Sequence, residues 1–264
     1  MIKSIKPLAD KQMEGKKIGR HINSVLNKSG FKRLVIGVSG GIDSATSLYL
    51  ACRTISPQNI FIAHLYYFES QEKIVKKICS ELKIPVQNQY LISIKKPVDE
   101  LKKLLKLTSA YKLQTITQVR LGNVMARIRM IILFDLAKKH KALVLGTENK
   151  SEHLLGYFTR FGDAASDIEP IAHLYKTQVY QLAKYLKVPG EIVRAKPSAG
   201  LWSHQTDEGE FGFSYQEADQ VLYLYHDRGL DSKKIKKLGF KNAEKIINFT
   251  LKNSFKHQVP YSLF

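Results

Sequence analysis

Four short apolar runs, interleaved with longer stretches of helical periodicity, constrain this chain more than any other feature. Residues 34–38, 59–65, 85–92 and 142–146 read as strands, and residues 44–53, 70–83, 97–106 and 117–140 as the helices that follow or separate them. Strands alternating with helices imply βαβ units, hence a parallel sheet covered on both faces. In such sheets ligands bind beyond the carboxyl ends of the strands. Two polar loops occupy that place here, residues 39–44 and 147–152. A basic amphipathic helix over residues 10–29 precedes the first strand. After residue 175 the pattern is mainly helical, with one irregular stretch at 195–213 that holds Trp202 and an acidic run at 207–210. The expectation is an α/β fold, a three-layer parallel sheet flanked by helices, with a helical C-terminal part.

The first loop reads Ser39-Gly40-Gly41-Ile42-Asp43-Ser44. Adjacent glycines let backbone N–H groups approach an oxyanion closely, and a following helix adds its positive end. Ser39 and Ser44 offer hydroxyl donors. Asp43 is the informative residue: a carboxylate beside a phosphate cradle repels the ligand unless a cation bridges them, which implies Mg²⁺. No lysine stands where a Walker loop needs one. The bland alternative is a tight strand-to-helix turn with a serine cap.

The hexapeptide resembles the pyrophosphate loop of the N-type ATP pyrophosphatases, whose fold is that of the adenine nucleotide alpha hydrolases. The segments Gly146-Thr147-Glu148-Asn149-Lys150-Ser151-Glu152, Gly156 to Asp163, Asp167-Ile168-Glu169-Pro170 and Leu174-Tyr175-Lys176 narrow the resemblance to the ammonia-dependent NAD synthetases. Lys196-Pro197-Ser198-Ala199-Gly200-Leu201-Trp202 and Gln205 to Gly212 continue it, from about residue 15 to the C-terminus. The resemblance implies one synthetase unit over residues 1–264, with an ATP-pyrophosphatase core at about 15–190, helices at about 191–264, and no glutaminase domain. It also implies the chemistry: the nicotinate carboxylate of deamido-NAD attacks the α-phosphate of ATP, and ammonia then displaces AMP to give NAD.

The roles come from the same resemblance. Gly37, Val38, Ser39, Gly40, Gly41, Ile42, Asp43 and Ser44 meet ATP, joined by Thr147, Lys176 and Ser198. Asp43 and Glu152 hold Mg²⁺. Asp163 holds or deprotonates the incoming ammonium, and Lys176 balances phosphate charge. Asn123, Arg127, Arg160, Asp167 and Lys256 meet deamido-NAD, and the family pattern implies a homodimer with that site at the subunit interface. Three departures from the pattern stand out. The connection after residue 65 is short, Phe255 stands where the family has histidine, and Arg160 and Ser198 replace lysine and threonine.

Composition limits the alternatives. No run approaches the roughly 20 apolar residues of a membrane span. Residues 1–17 lack the apolar stretch of a secretory signal. Two cysteines, Cys52 and Cys79, fall in apolar-periodic segments, as in a reduced cytoplasmic protein. The net charge of +19 admits either a nucleic-acid footprint or anionic small substrates. Lysines scattered through helical patterns, without interleaved aromatics, argue against nucleic acid. A tRNA-modifying adenylating enzyme and a non-catalytic nucleotide-binding regulator are the competing readings.

Overall fold

A computed structural model describes residues 5, 7–68, 70–107, 114–198, 200, 205–258 and 260–261. Trp202, Leu201 and Ala199, named above, lie outside the described residues. The elements run α1 (Lys11–Ser29), β1 (Leu34–Gly37), α2 (Ile42–Cys52), β2 (Ile60–Tyr66), α3 (Glu72–Glu81), β3 (Gln89–Ser93), α4 (Lys95–Leu104), α5 (Gln114–His140) and β4 (Leu143–Leu145). The shorter α6 (Lys150–Leu155), α7 (Lys176–Leu186), α8 (Gly190–Arg194), α9 (Asp207–Phe211), α10 (Tyr215–Leu222), α11 (Ser232–Lys237) and α12 (Ala243–Asn253) follow.

The sheet is parallel throughout, in the order β3-β2-β1-β4. Strand alternation sorts its side chains into two layers. Leu34, Ile36, Ile60 and Ile62 pack under α1, α2, α3 and α7. Val35, Phe61, Ala63 and Val144 pack on the other face against α4 and α5. A third core, centred on Phe211, Tyr215, Leu222 and Ile246, gathers α6 with α9, α10 and α12. The layered reading thus holds, with the strand order reversing at β1. That reversal leaves a crevice between the carboxyl ends of β1 and β4, into which both polar loops open.

Three local expectations shift. The third strand begins at Gln89, because Pro85 starts a turn of 3₁₀ helix over Val86–Asn88. α2 begins at Ile42, not at 44: Gly41 is the N-cap, and the Ser44 hydroxyl donates back to the Gly41 carbonyl (3.0 Å) from inside the first turn. On α5, whose sequence pattern sets Leu121, Val124, Met125, Ile128, Ile131 and Ile132 on one apolar face, Met125 is buried and Leu121, Val124, Ile128 and Ile132 pack beside it, but Ile131 is 56% exposed.

Candidate active site

The phosphate loop lies where β1 meets α2, and Glu152 and Lys176 stand in the first turns of α6 and α7. Gly40 takes φ +92°, a left-handed conformation that favours glycine. Ser39 and Ser44 share their hydroxyls (3.1 Å), and Ser39 Oγ accepts from the Gly41 N–H (3.2 Å). Ser39 and Gly41 are exposed while Ser44 is buried. The loop therefore satisfies itself with long hydroxyl bonds that a phosphate could replace.

Across the crevice, Asn149 caps α6 in a reciprocal box with Glu152: Asn149 Oδ1 accepts from the Glu152 N–H (3.0 Å), and Glu152 Oε2 accepts from the Asn149 N–H (3.4 Å). The same Asn149 donates from Nδ2 to Asp43 Oδ1 (2.9 Å). Lys176, at the first position of α7, donates from Nζ to Asp43 Oδ2 (2.6 Å) and Glu152 Oε1 (3.0 Å). Its side chain is only 3% exposed. Asp43, Glu152 and Lys176, three of the residues singled out in the sequence, therefore meet in one cluster.

Burial pushes the Glu152 carboxyl up to about 8, with Lys176 opposing the rise and Asp43 adding to it. Burial alone would lower the Lys176 ammonium, but Asp43 and Glu152 outweigh it and hold it above the usual lysine range. Asp207, on α9, adds a further buried carboxylate, accepting from Tyr215 (3.1 Å) and Tyr157 (3.3 Å). Burial raises its carboxyl too. The cluster holds more carboxylates than cations.

Beneath this cluster lies a support with no warning in the sequence. Asp219 on α10, fully buried, accepts from the Ser151 hydroxyl and from the Thr177 N–H (2.8 Å). Ser151 Oγ in turn accepts from the Lys176 N–H (2.9 Å). One carboxylate thereby fixes the residues beside Glu152 and Lys176. Gly146 is equally specific: a Cβ there would stand 1.9 Å from Glu169 Oε1. The only sequence signal for Asn149 is its Asn-x-x-Glu spacing, which marks a cap.

Asp163 keeps one face open to solvent. The protein packed around it nevertheless pushes its carboxyl up, the Thr159 N–H bond to Oδ1 (2.8 Å) opposing and the Glu148 charge adding. Thr159 donates its hydroxyl to Asn123 (2.8 Å), and Arg127 donates to the Arg160 carbonyl (3.3 Å), so α5 orders the Asp163 loop. Arg160 and Lys256 line a cavity of about 210 Å³ with Glu148, His153 and Phe158. Lys256 also donates to the carbonyls of Gly156 (2.7 Å) and Phe158 (2.9 Å). Phe255 lies under the Arg160 guanidinium, 5.2 Å from the ring centre, where it supports that cation. Thr147 is half-buried at the end of β4. Asp167 accepts from the Val144 N–H (2.7 Å), and the exposed Ser198 accepts from the Gly200 N–H (3.1 Å). A larger concavity of about 720 Å³, beside α4, contains none of the predicted residues.

This arrangement can cradle a polyphosphate, balance its charge and present a carboxylate to a small amine. A family profile described as NAD synthase matches residues 15–260. An NH3-dependent NAD(+) synthetase of Thermococcus kodakarensis is 39% identical over 243 residues, covering 90% of this chain and 92% of that protein. Among solved structures, an NMN synthetase of Francisella tularensis superposes with a TM-score of 0.80 at 31% identity, over 96% of this chain and 98% of the other. An NH3-dependent NAD synthetase of Campylobacter jejuni, solved with a nitrate ion, gives 0.76 at 31% identity, over 97% and 100%. The phosphate loop, the carboxylate–lysine cluster and the Asp163 loop all lie within the matched span, and the chain belongs to the NAD synthase family.

Proposed function

We propose that this chain amidates deamido-NAD with ammonia at the expense of ATP, releasing NAD, AMP and pyrophosphate, and that the crevice between β1 and β4 is where it does so. The observation that carries the site assignment is the meeting of Asp43, Glu152 and Lys176, drawn from three separate segments into one buried cluster.

The N–H groups of the Ser39–Ser44 loop and the start of α2 receive the ATP phosphates, exchanging hydroxyl bonds for charged ones. Lys176 faces the negative charge that builds as the nicotinate oxygen attacks the α-phosphorus and pyrophosphate departs. Ammonia then attacks the carbonyl carbon of the acyl-adenylate, and AMP leaves. Asp163, its pKa raised by the protein around it, takes the proton that ammonium must lose. Arg160 and Lys256 hold the deamido-NAD side of the cavity, and Thr147 and Ser198 the nucleotide side.

Mg²⁺ fits the cluster. Among the described residues no group of three or more acidic, histidine or cysteine side chains forms a metal cage. Magnesium asks for less: one or two carboxylates, completed by phosphate oxygens and water. Asp43 and Glu152 would supply the two, and the ion would neutralise charge on the phosphates.

The exposed face of α5 supports the homodimer reading. Ile116 (60% exposed), Val119 (41%) and Ile131 (56%) share one helical face with Arg120, Asn123 and Arg127. Exposed apolar groups interleaved with substrate-directed cations suit a subunit interface that also carries the deamido-NAD site. Two free cysteines suit the cytoplasm, and no helix among the described residues is long and apolar enough to cross a membrane.

The test measures NAD and AMP formed from ATP, Mg²⁺, ammonium and either deamido-NAD or its deamidated mononucleotide, in wild type and Asp163→Ala. NAD formation requiring every component, with amidation lost in the variant, is the expected result. A higher kcat/KM with the mononucleotide would move the acceptor to the chemistry named for the Francisella protein.

A further inference from the structure

We propose that His64 is the positioning residue that fastens the phosphate loop to the β2–α3 connection, and that it does so only as the neutral imidazole protonated on Nδ1. The inference rests on reading Ser39–Ser44 as the loop that receives ATP phosphates.

His64 is 3% exposed on β2, on the same side as Ile60 and Ile62, in a layer otherwise apolar. A buried imidazole there needs partners for both nitrogens. Nδ1 lies 2.8 Å from the Val38 carbonyl, which can only accept, so Nδ1 carries the proton. Nε2 accepts from the Gln71 N–H (3.1 Å). Val38 is the residue entering the phosphate loop, and Gln71 is the residue entering α3. Gln71 also closes the space above Gly40, where a Cβ would stand 3.2 Å from Gln71 Cβ. One ring therefore joins the two segments whose contact shapes the glycine turn.

A second proton would have to sit on Nε2, pointing at the Gln71 N–H, and that bond would be lost. The charged groups facing the ring are Arg129 from α5, which opposes protonation, and Glu72 from α3, which favours it; the Tyr66 ring stacks at 5.6 Å. Burial dominates and keeps the imidazole below the usual histidine range.

The experiment uses the full chain and three substitutions. His64→Leu removes both bonds and is expected to raise the KM for ATP by roughly tenfold or more, since two buried hydrogen bonds are lost, with kcat within a few-fold. His64→Asn retains a donor toward Val38, and His64→Gln retains an acceptor toward Gln71. Each is expected to recover part of the ATP affinity and to lack the wild type's loss of kcat/KM at acidic pH. Imidazole ¹⁵N spectra of wild type should show the Nδ1–H tautomer, neutral at pH 6.5. An Nε2–H tautomer, or an unchanged KM for ATP in His64→Leu, overturns the proposal. If His64→Leu does not fold, the wild-type tautomer and pH profile decide. Gly40→Ala separates the two readings. If it leaves the KM for ATP unchanged, the phosphate-loop assignment fails. If it raises that KM while His64→Leu does not, only the role of His64 fails.

Discussion

The two flanks of the crevice are built on opposite terms. On the β1–α2 flank the loop is held by serine hydroxyls at 3.0–3.2 Å, and Ser39 and Gly41 face solvent. On the β4–α6–α7 flank Asn149, Glu152 and Lys176, joined by Asp43 from the first turn of α2, are tied at 2.6–3.4 Å around an almost completely buried ammonium. The first flank leaves neutral backbone donors for a ligand to claim. The second is a preformed charge cluster that cannot relax without leaving a buried charge unpaired. Preorganised charge serves the transition state, whereas exchangeable donors serve binding. Substitutions on the second flank should therefore act on kcat and stability, and those on the first on the KM for ATP.

The hardest test of that division is Lys176→Met. Loss of a single stabilising cation at the reacting phosphates should cut kcat by about 10²–10³-fold. It also leaves Asp43 and Glu152 facing each other, a change that costs on the order of 3–5 kcal/mol when a buried pair loses one partner. Thermal unfolding in the absence and presence of Mg²⁺ checks the second point. The variant should regain more of its melting temperature with the metal than wild type gains. A variant with kcat within tenfold of wild type would dissolve the contrast between the flanks.

A smaller effect is expected one step behind the cluster. Asp219→Asn keeps the shape but gives up a charged acceptor shared by Ser151 and Thr177. Hydrogen bonds to a charged group contribute about 1.5–3 kcal/mol each, so a loss of stability on the order of 1–3 kcal/mol is expected, with kcat lowered about tenfold. The KM for ATP should stay put. If that KM rises while kcat holds, α10 supports the phosphate flank instead, and the comparison must be redrawn.

What the sequence disclosed follows the same line. Periodicity exposed the strands and helices because each buries a face, and the glycine loop was legible because its backbone demands glycine. The sequence marked Asp43 and Glu152 as candidate cation ligands, but the hydrogen bond from Asn149 to Asp43 spans 106 residues and no local pattern encodes it. Asp219 and His64 stayed silent for the same reason: each bonds to partners outside its own element. Helix starts misled where serine was taken as a boundary, since Ser44 bonds back to Gly41 from within the helix. Ile131 was misplaced because period alone does not distinguish a core face from an apolar surface face. Phe255, a departure from the family pattern, became intelligible only with Arg160 above its ring.

The finest distinction between the flanks is the direction of their pH dependence. Glu169 lies at the foot of β4 against Gly146, accepting from Ser166 Oγ (2.7 Å) and the Glu148 N–H (3.0 Å). Burial pushes its carboxyl up to about 7, the Ser166 bond opposing and the Glu148 charge adding. A carboxyl whose folded pKa exceeds its unfolded value of about 4.3 favours the fold while protonated. That contribution is complete below about pH 4.3 and disappears as pH rises through about 7. Wild type should therefore lose melting temperature between pH 5 and 8 relative to Glu169→Gln, by a few degrees, the scale of about 1 kcal/mol in a domain of this size. His64, on the other flank, has its pKa depressed, so its contribution is present above about pH 6.5 and fades as pH falls. Parallel melting curves for wild type and Glu169→Gln across that range would mean that the carboxylate flank is not where the fold pays for excess negative charge.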